Sequence, residues 1–76
     1  MERLDVTSFA ARLRALRIRY GWSQVYLARK AGVNAANLNE IEHARKPGLS
    51  AATVVALAKA LGVTSDYLLG LSEKER

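Results

Sequence analysis

Most of the side chains in this chain that could do chemistry stand in one stretch. Between Ser23 and His43 lie Ser23, Gln24, Asn37, Asn39, Glu40, Glu42 and His43, hydrogen-bonding groups interleaved with apolar residues and with Arg29, Lys30 and Asn34. They do not compose a catalytic set. His43 is the one histidine, there is no cysteine, and no pair of carboxylates comes with a pocket to hold it. Glu40 and His43, at i and i+3, could both reach a metal ion, but two further ligands have no candidate nearby. Two surface side chains are the expectation, with no enzyme activity, no metal and no cofactor. Amides, carboxylates and methyl groups are suited to a different task, which is reading base edges. Asn or Gln pairs with adenine, a carboxylate accepts from the cytosine amino group, and a methyl meets the thymine methyl.

Bulk composition supports that direction. The net charge is +5 at pH 7 and the sequence pI is about 10.1, above the value of about 9 that marks a nucleic-acid suspect. The charge is uneven. Between Arg12 and Lys46 stand Arg12, Arg14, Arg17, Arg19, Arg29, Lys30, Arg45 and Lys46, opposed only by Glu40 and Glu42. A chain of 76 residues allows one domain with one small core, burying roughly 60% of its unfolded surface. Dimerisation would add to its marginal stability. Half the residues are apolar, which argues against disorder. The absence of cysteine excludes disulfides and thiolate metal sites. No apolar run approaches the roughly 20 residues of a membrane span, and MERLDVTS lacks the apolar core of a signal peptide. A cytoplasmic protein is expected.

The elements that must position these residues are helices, five of them, with no strand. The first spans about 9–20, with Phe9, Leu13, Leu16 and Tyr20 on one stripe, Thr7 or Ser8 as its cap and Gly21 as its stop. The second spans 24–31, capped by Ser23, with Leu27, Ala28 and Ala31 facing inward. The third spans 35–43, capped by Asn34. The segment ARKPGL is a loop, marked by Pro47 and Gly48. A fourth helix spans 51–60 behind Ser50, with Val54, Val55, Leu57, Ala58 and Leu61 on a wide apolar face. A fifth, short helix spans 65–69 between Thr64 and Gly70. The tail LSEKER is polar and expected to fray.

The second and third helices are joined by a sharp turn at Gly32. A residue without a Cβ takes positive φ there without strain. Val33 fills the corner, Ala28 permits close approach of the axes, and Leu38 and Ile41 seal the third helix onto the core. This is the layout of a helix-turn-helix. With Leu38 and Ile41 setting the buried direction and about 100° of rotation per residue, Ala36, Asn39, Glu40 and His43 fall on the opposite side, flanked by Ala35 and Asn37.

The pieces LRALRIRYGWSQ, LARKAGV, LNEIE, LAKALGV and SDYLLG together resemble the Cro/repressor-type helix-turn-helix family, also called the xenobiotic-response-element type, over about residues 9–70. The resemblance implies a compact all-α five-helix bundle of the lambda-repressor-like DNA-binding type, with residues 1–8 as an N-terminal arm, 9–70 as the domain and 71–76 as a polar tail. It implies a repressor-like transcriptional regulator whose paired subunits bind a two-fold operator on double-stranded DNA. Base contacts are implied at Ala35, Ala36 and Glu40, with Asn37, Asn39 and His43 nearby. Phosphate contacts are implied at Ser23 and Gln24, at the start of the second helix, and at Arg45 and Lys46 in the following loop. Arg17 and Glu42 match a structural ion pair of the family.

Two departures from the family pattern matter. Ala35, Ala36 and Glu40 contain no Arg, Lys or Gln, so direct readout is modest and shape contributes more. This keeps open an alternative function, an antitoxin or protein-interaction module that masks a toxin or another regulator and binds DNA weakly. Ala44 stands where the family often has Gly, so either the third helix runs one residue longer or the turn differs. At the C-terminal end Tyr67, Leu68, Leu69 and Leu71 are divided between core and a homodimer contact.

Overall fold

The computed structural model describes residues 6–44 and 50–75. Its helices are α1 (Val6–Arg19), α2 (Gln24–Ala31), α3 (Ala35–Glu42), α4 (Ala51–Leu61) and α5 (Ser65–Leu69), and no strand occurs among the described residues. The expected N-terminal arm falls largely, and the loop residues Arg45, Lys46, Pro47 and Gly48 fall entirely, outside the described residues.

Cap chemistry sets four of the five helix starts. Ser23, Asn34, Ser50 and Thr64 each sit in extended conformation, and each side-chain oxygen accepts from the backbone N–H three residues on. That satisfies a donor the helix itself cannot. α1 differs from expectation. It begins by Val6, so Thr7 and Ser8 lie within it rather than capping it. At its other end it stops at Arg19, and Tyr20 instead donates its hydroxyl to the Leu61 carbonyl at 2.8 Å.

The core is one cluster drawn from every helix. Phe9, Leu13 and Leu16 of α1 meet Leu27 and Ala28 of α2, Leu38 and Ile41 of α3, Val54, Leu57, Ala58 and Leu61 of α4, and Leu68 of α5. α3 packs on α1 and α2, while α4 packs on α2 and α5. α3 is therefore held from behind by two helices. Val55, expected on the apolar face of α4, is exposed instead. It points about 100° around α4 from Val54, away from the inward positions filled by Val54, Leu57 and Ala58.

The turn after α3 resolves the Ala44 question. α3 ends at Glu42, His43 caps it, and Ala44 takes φ 56° with its N–H on the Ile41 carbonyl at 3.0 Å. The turn keeps the left-handed geometry suited to glycine, and Ala44 bears the strain of its Cβ. Ala44→Gly is expected to raise stability by about 0.5–1 kcal/mol, the strain relieved less the extra freedom of the unfolded chain. Thermal melting of the two proteins checks it.

The tail, expected to fray, is hydrogen-bonded to the start of α5 through Lys74 and Glu75. Thr64 N–H donates to the Glu75 carbonyl at 2.6 Å, and the Thr64 hydroxyl to the Lys74 carbonyl at 3.3 Å. Arg19 forks onto the Glu75 carboxylate at 2.9 and 3.2 Å, and that carboxylate, with the Tyr20 hydroxyl second, raises the Arg19 pKa. Arg12 lies over the Tyr67 ring and donates to the Tyr67 carbonyl at 3.0 Å and to Glu73 at 3.5 Å. Two arginines of the basic stretch between Arg12 and Lys46 are thus paired within the chain.

Candidate nucleic-acid interface

α2 and α3 meet around Gly32, which takes φ 74° and sends its N–H to the Arg29 carbonyl, while Val33 N–H returns to Ala28 at 2.9 Å. With Leu38 fully buried and Ile41 1% exposed, the orientation of α3 about its own axis is fixed. Ala36, Glu40 and His43 are exposed, and Ala35, Asn37 and Asn39 are half-buried on the flanks. The six candidate base-facing residues therefore form one row with three outward members and three at its edges.

Behind this row runs a hydrogen-bond relay. Glu42 is 3% exposed, and its carboxylate accepts from Arg17 Nε at 2.7 Å and Arg17 Nη2 at 2.9 Å. The same guanidinium donates to the Trp22 carbonyl at 2.8 Å. This fork–fork geometry suits a planar guanidinium and a carboxylate. A third donor, Gln24 Nε2, reaches Glu42 Oε1 at 3.0 Å. Gln24 Oε1 in turn accepts from Asn39 Nδ2 at 3.0 Å. One buried carboxylate thus ties α1, the corner before α2, the first residue of α2 and the outer flank of α3.

This relay was not legible in the sequence, which gave Gln24 a phosphate and Asn39 a base. Side-chain amides 15 residues apart leave no periodic trace. The ion pair was available only through family resemblance. Gln24 keeps one N–H of its amide for an outside acceptor, because the other is committed to Glu42.

The two candidate phosphate positions that are described sit together at the start of α2. Ser23 is exposed, accepts from Tyr26 N–H at 3.0 Å and keeps its own hydroxyl proton. The first-turn N–H groups of α2 give that end partial positive charge. Arg45 and Lys46 lie outside the described residues. Among the described residues, Arg14, Arg29 and Lys30 form no ion pair, and Lys30 lies 5.6 Å from the Trp22 ring centre. No group of three or more His, Cys, Asp or Glu able to hold a metal occurs among the described residues, and no helix there is long and apolar enough to cross a membrane.

Comparison with known proteins places this geometry. Among solved structures, the chain is similar to a hypothetical transcription factor, NHTF, from Neisseria, at 28% identity and TM-score 0.79, covering 91% of this chain and 84% of that one. It is similar to the restriction-modification controller protein C.AhdI from Aeromonas hydrophila at 30% identity and TM-score 0.79, covering 87% and 98%. It also matches the structure of a SinR protein/SinI protein complex at 30% identity and TM-score 0.77, covering 80% of this chain and 59% of that one. No curated protein matches it. The model of the helix-turn-helix domain family matches residues 8–73, a span that includes the Ser23 cap, the Gly32 turn, the outward row of α3 and the relay behind it, and the chain belongs to that family.

Proposed function

We propose that this protein is a transcriptional regulator that binds double-stranded DNA with α3 in the major groove. The observation that carries the reading is the juxtaposition of an outward α3 row, held by a buried ion pair, with the N-terminus of α2 at its edge. In a helix-turn-helix the second helix reads base edges while the first crosses the backbone. Ser23 and Gln24 then meet phosphate, joined by Arg45 and Lys46. Ala35 and Ala36 offer methyl contacts, and Asn37, Asn39, Glu40 and His43 offer hydrogen bonds. The similarity to a restriction-modification controller protein and to a hypothetical transcription factor supports regulation rather than catalysis.

Two protomers on a two-fold operator are part of this proposal. Leu68 is fully buried, but Leu71 is 71% exposed. Leu71→Asp is expected to shift a dimer to monomer with little change in helix content, read by sedimentation at micromolar concentration and circular dichroism. A second reading, a module that binds a protein partner and little DNA, is favoured by the similarity to SinR, whose solved structure includes the SinI protein.

Salt separates the readings. With two Lys or Arg contacts per protomer, about four phosphates per dimer are neutralised, and affinity for random duplex falls roughly 100-fold between 50 and 200 mM salt. A titration followed by fluorescence anisotropy measures this. Absence of binding at 50 mM would favour the protein-partner reading.

A further inference from the structure

The relay behind α3 has a direction. A carboxylate only accepts, and both Glu42 oxygens are occupied by donors, Oε1 by Arg17 and Gln24 together. Gln24 must therefore turn its NH2 toward Glu42 and its carbonyl toward Asn39. Asn39 must answer with its own NH2, at 3.0 Å. Reversing either amide would set two acceptors against each other or two donors against each other. Asn39 Oδ1 is thereby turned away from Gln24, and it has no hydrogen-bond partner among the described residues.

The same polarity recurs along the row. His43 Nδ1 lies 2.8 Å from the backbone carbonyl oxygen of Asn39. A carbonyl only accepts, so Nδ1 carries the hydrogen and the neutral ring leaves Nε2 as an acceptor. Glu40 is exposed and accepts as well. In the major groove, amino hydrogens come from adenine N6 and cytosine N4, whereas guanine O6 and N7 and thymine O4 accept. A phosphate oxygen also accepts and is no partner for Asn39 Oδ1.

We propose that the buried Glu42, acting through the Gln24 amide, locks Asn39 with its side-chain Oδ1 outward, and that the operator base meeting this oxygen presents an amino group, as adenine or cytosine does; the second Nδ2 hydrogen then reinforces adenine through its N7. This rests on the reading that α3 enters the major groove. Gln24 and Glu42 are positioning residues here, and Asn39 is the base reader.

The test is selection of bound duplexes from random DNA with the wild type and three variants, scored as base preference within each selection so that overall affinity drops out. Asn39→Ala identifies the half-site position that Asn39 faces, by abolishing preference there. At that position the wild type is expected to prefer adenine or cytosine by about tenfold over guanine or thymine, the range of one good base contact. Gln24→Met breaks the relay but leaves the Arg17–Glu42 pair, and is expected to cut the preference to about threefold or less while other positions keep theirs. Glu42→Gln, which frees both amides to reverse, is expected to do the same if it folds, and Gln24→Met decides the matter if it does not. Guanine or thymine at that position in the wild type, or a full preference surviving Gln24→Met, overturns the inference and leaves major-groove binding standing. Selection of no sequence, or an Asn39→Ala profile identical to the wild type, overturns the inference together with the placement of Asn39 against a base.

Discussion

Glu42→Ala is expected to cost about 3–5 kcal/mol, because it leaves the Arg17 guanidinium charged and without its partner in a largely buried site. Arg17 is 14% exposed in its side chain and Glu42 is 0%. The same change removes the acceptor for Gln24 Nε2. In a domain of this size each kcal/mol shifts Tm by roughly 4–8 °C, so Tm falls by about 12 °C or more. Thermal melting by circular dichroism measures it, and an unchanged Tm would show that the pair is structurally idle. Replacing both partners, Arg17→Met with Glu42→Leu, is expected to restore most of the lost stability, since apolar groups of similar volume avoid the desolvation cost. It would not restore the relay, because Gln24 then has no carboxylate to face. Comparing the single and double variants separates the pair's contribution to stability from its hold on α3.

Leu38→Ala is expected to cost about 2–5 kcal/mol, the usual range for deleting a fully buried leucine side chain. Leu38 is 0% exposed and sits among α1, α2 and α3. The loss has a local character beyond its size. α3 is eight residues long, too short to persist as an isolated helix, and Leu38 and Ile41 are its two core anchors. Amide exchange in α3 is expected to accelerate more than in α4, which keeps Val54, Leu57, Ala58 and Leu61 in the core. Denaturant unfolding and amide exchange check both parts.

How much of this was legible depended on whether a contact is local or distant. The four caps, the turn at Gly32 and the α3 core pair Leu38 and Ile41 follow from rules that act within one or two turns of chain, and they stand where the sequence placed them. Apart from the start of α1, which lies by Val6 rather than after Thr7 or Ser8, the errors involve contacts between distant residues. Arg12 and Arg19 look like solvated charges on α1, yet they grip Glu73 and Glu75, 61 and 56 residues away. Those contacts tie down a tail whose composition reads as frayed. Val55 reads as core because it is apolar, but its direction is set by the packing of Val54 and Leu57. At the candidate site, the exposure of Ala36, Glu40 and His43 followed from helical rotation alone, whereas Asn39, set outward by the same rule, is half-buried against Gln24. The Glu42–Gln24–Asn39 relay did not, because its members come from different helices.

Chemically, the outward row is quieter in positive charge than basic composition suggests. Three described arginines, Arg12, Arg17 and Arg19, are paired within the chain. In the proposed reading, attraction to phosphate then falls on the start of α2, on Arg14, Arg29 and Lys30, and on Arg45 and Lys46. Phosphate contacts of this kind fix position without carrying sequence. In the same proposed reading, sequence information rests on methyl groups at Ala35 and Ala36 and on acceptors at Asn39, Glu40 and His43.

The most direct measurement of the central claim is an amide NMR map of the chain, with and without a duplex drawn from the selection. The account predicts that perturbations concentrate at residues 23–26 and 34–43, with α4 and α5 nearly silent. Perturbations confined to α1, α4 or α5, with α3 unchanged, would contradict it.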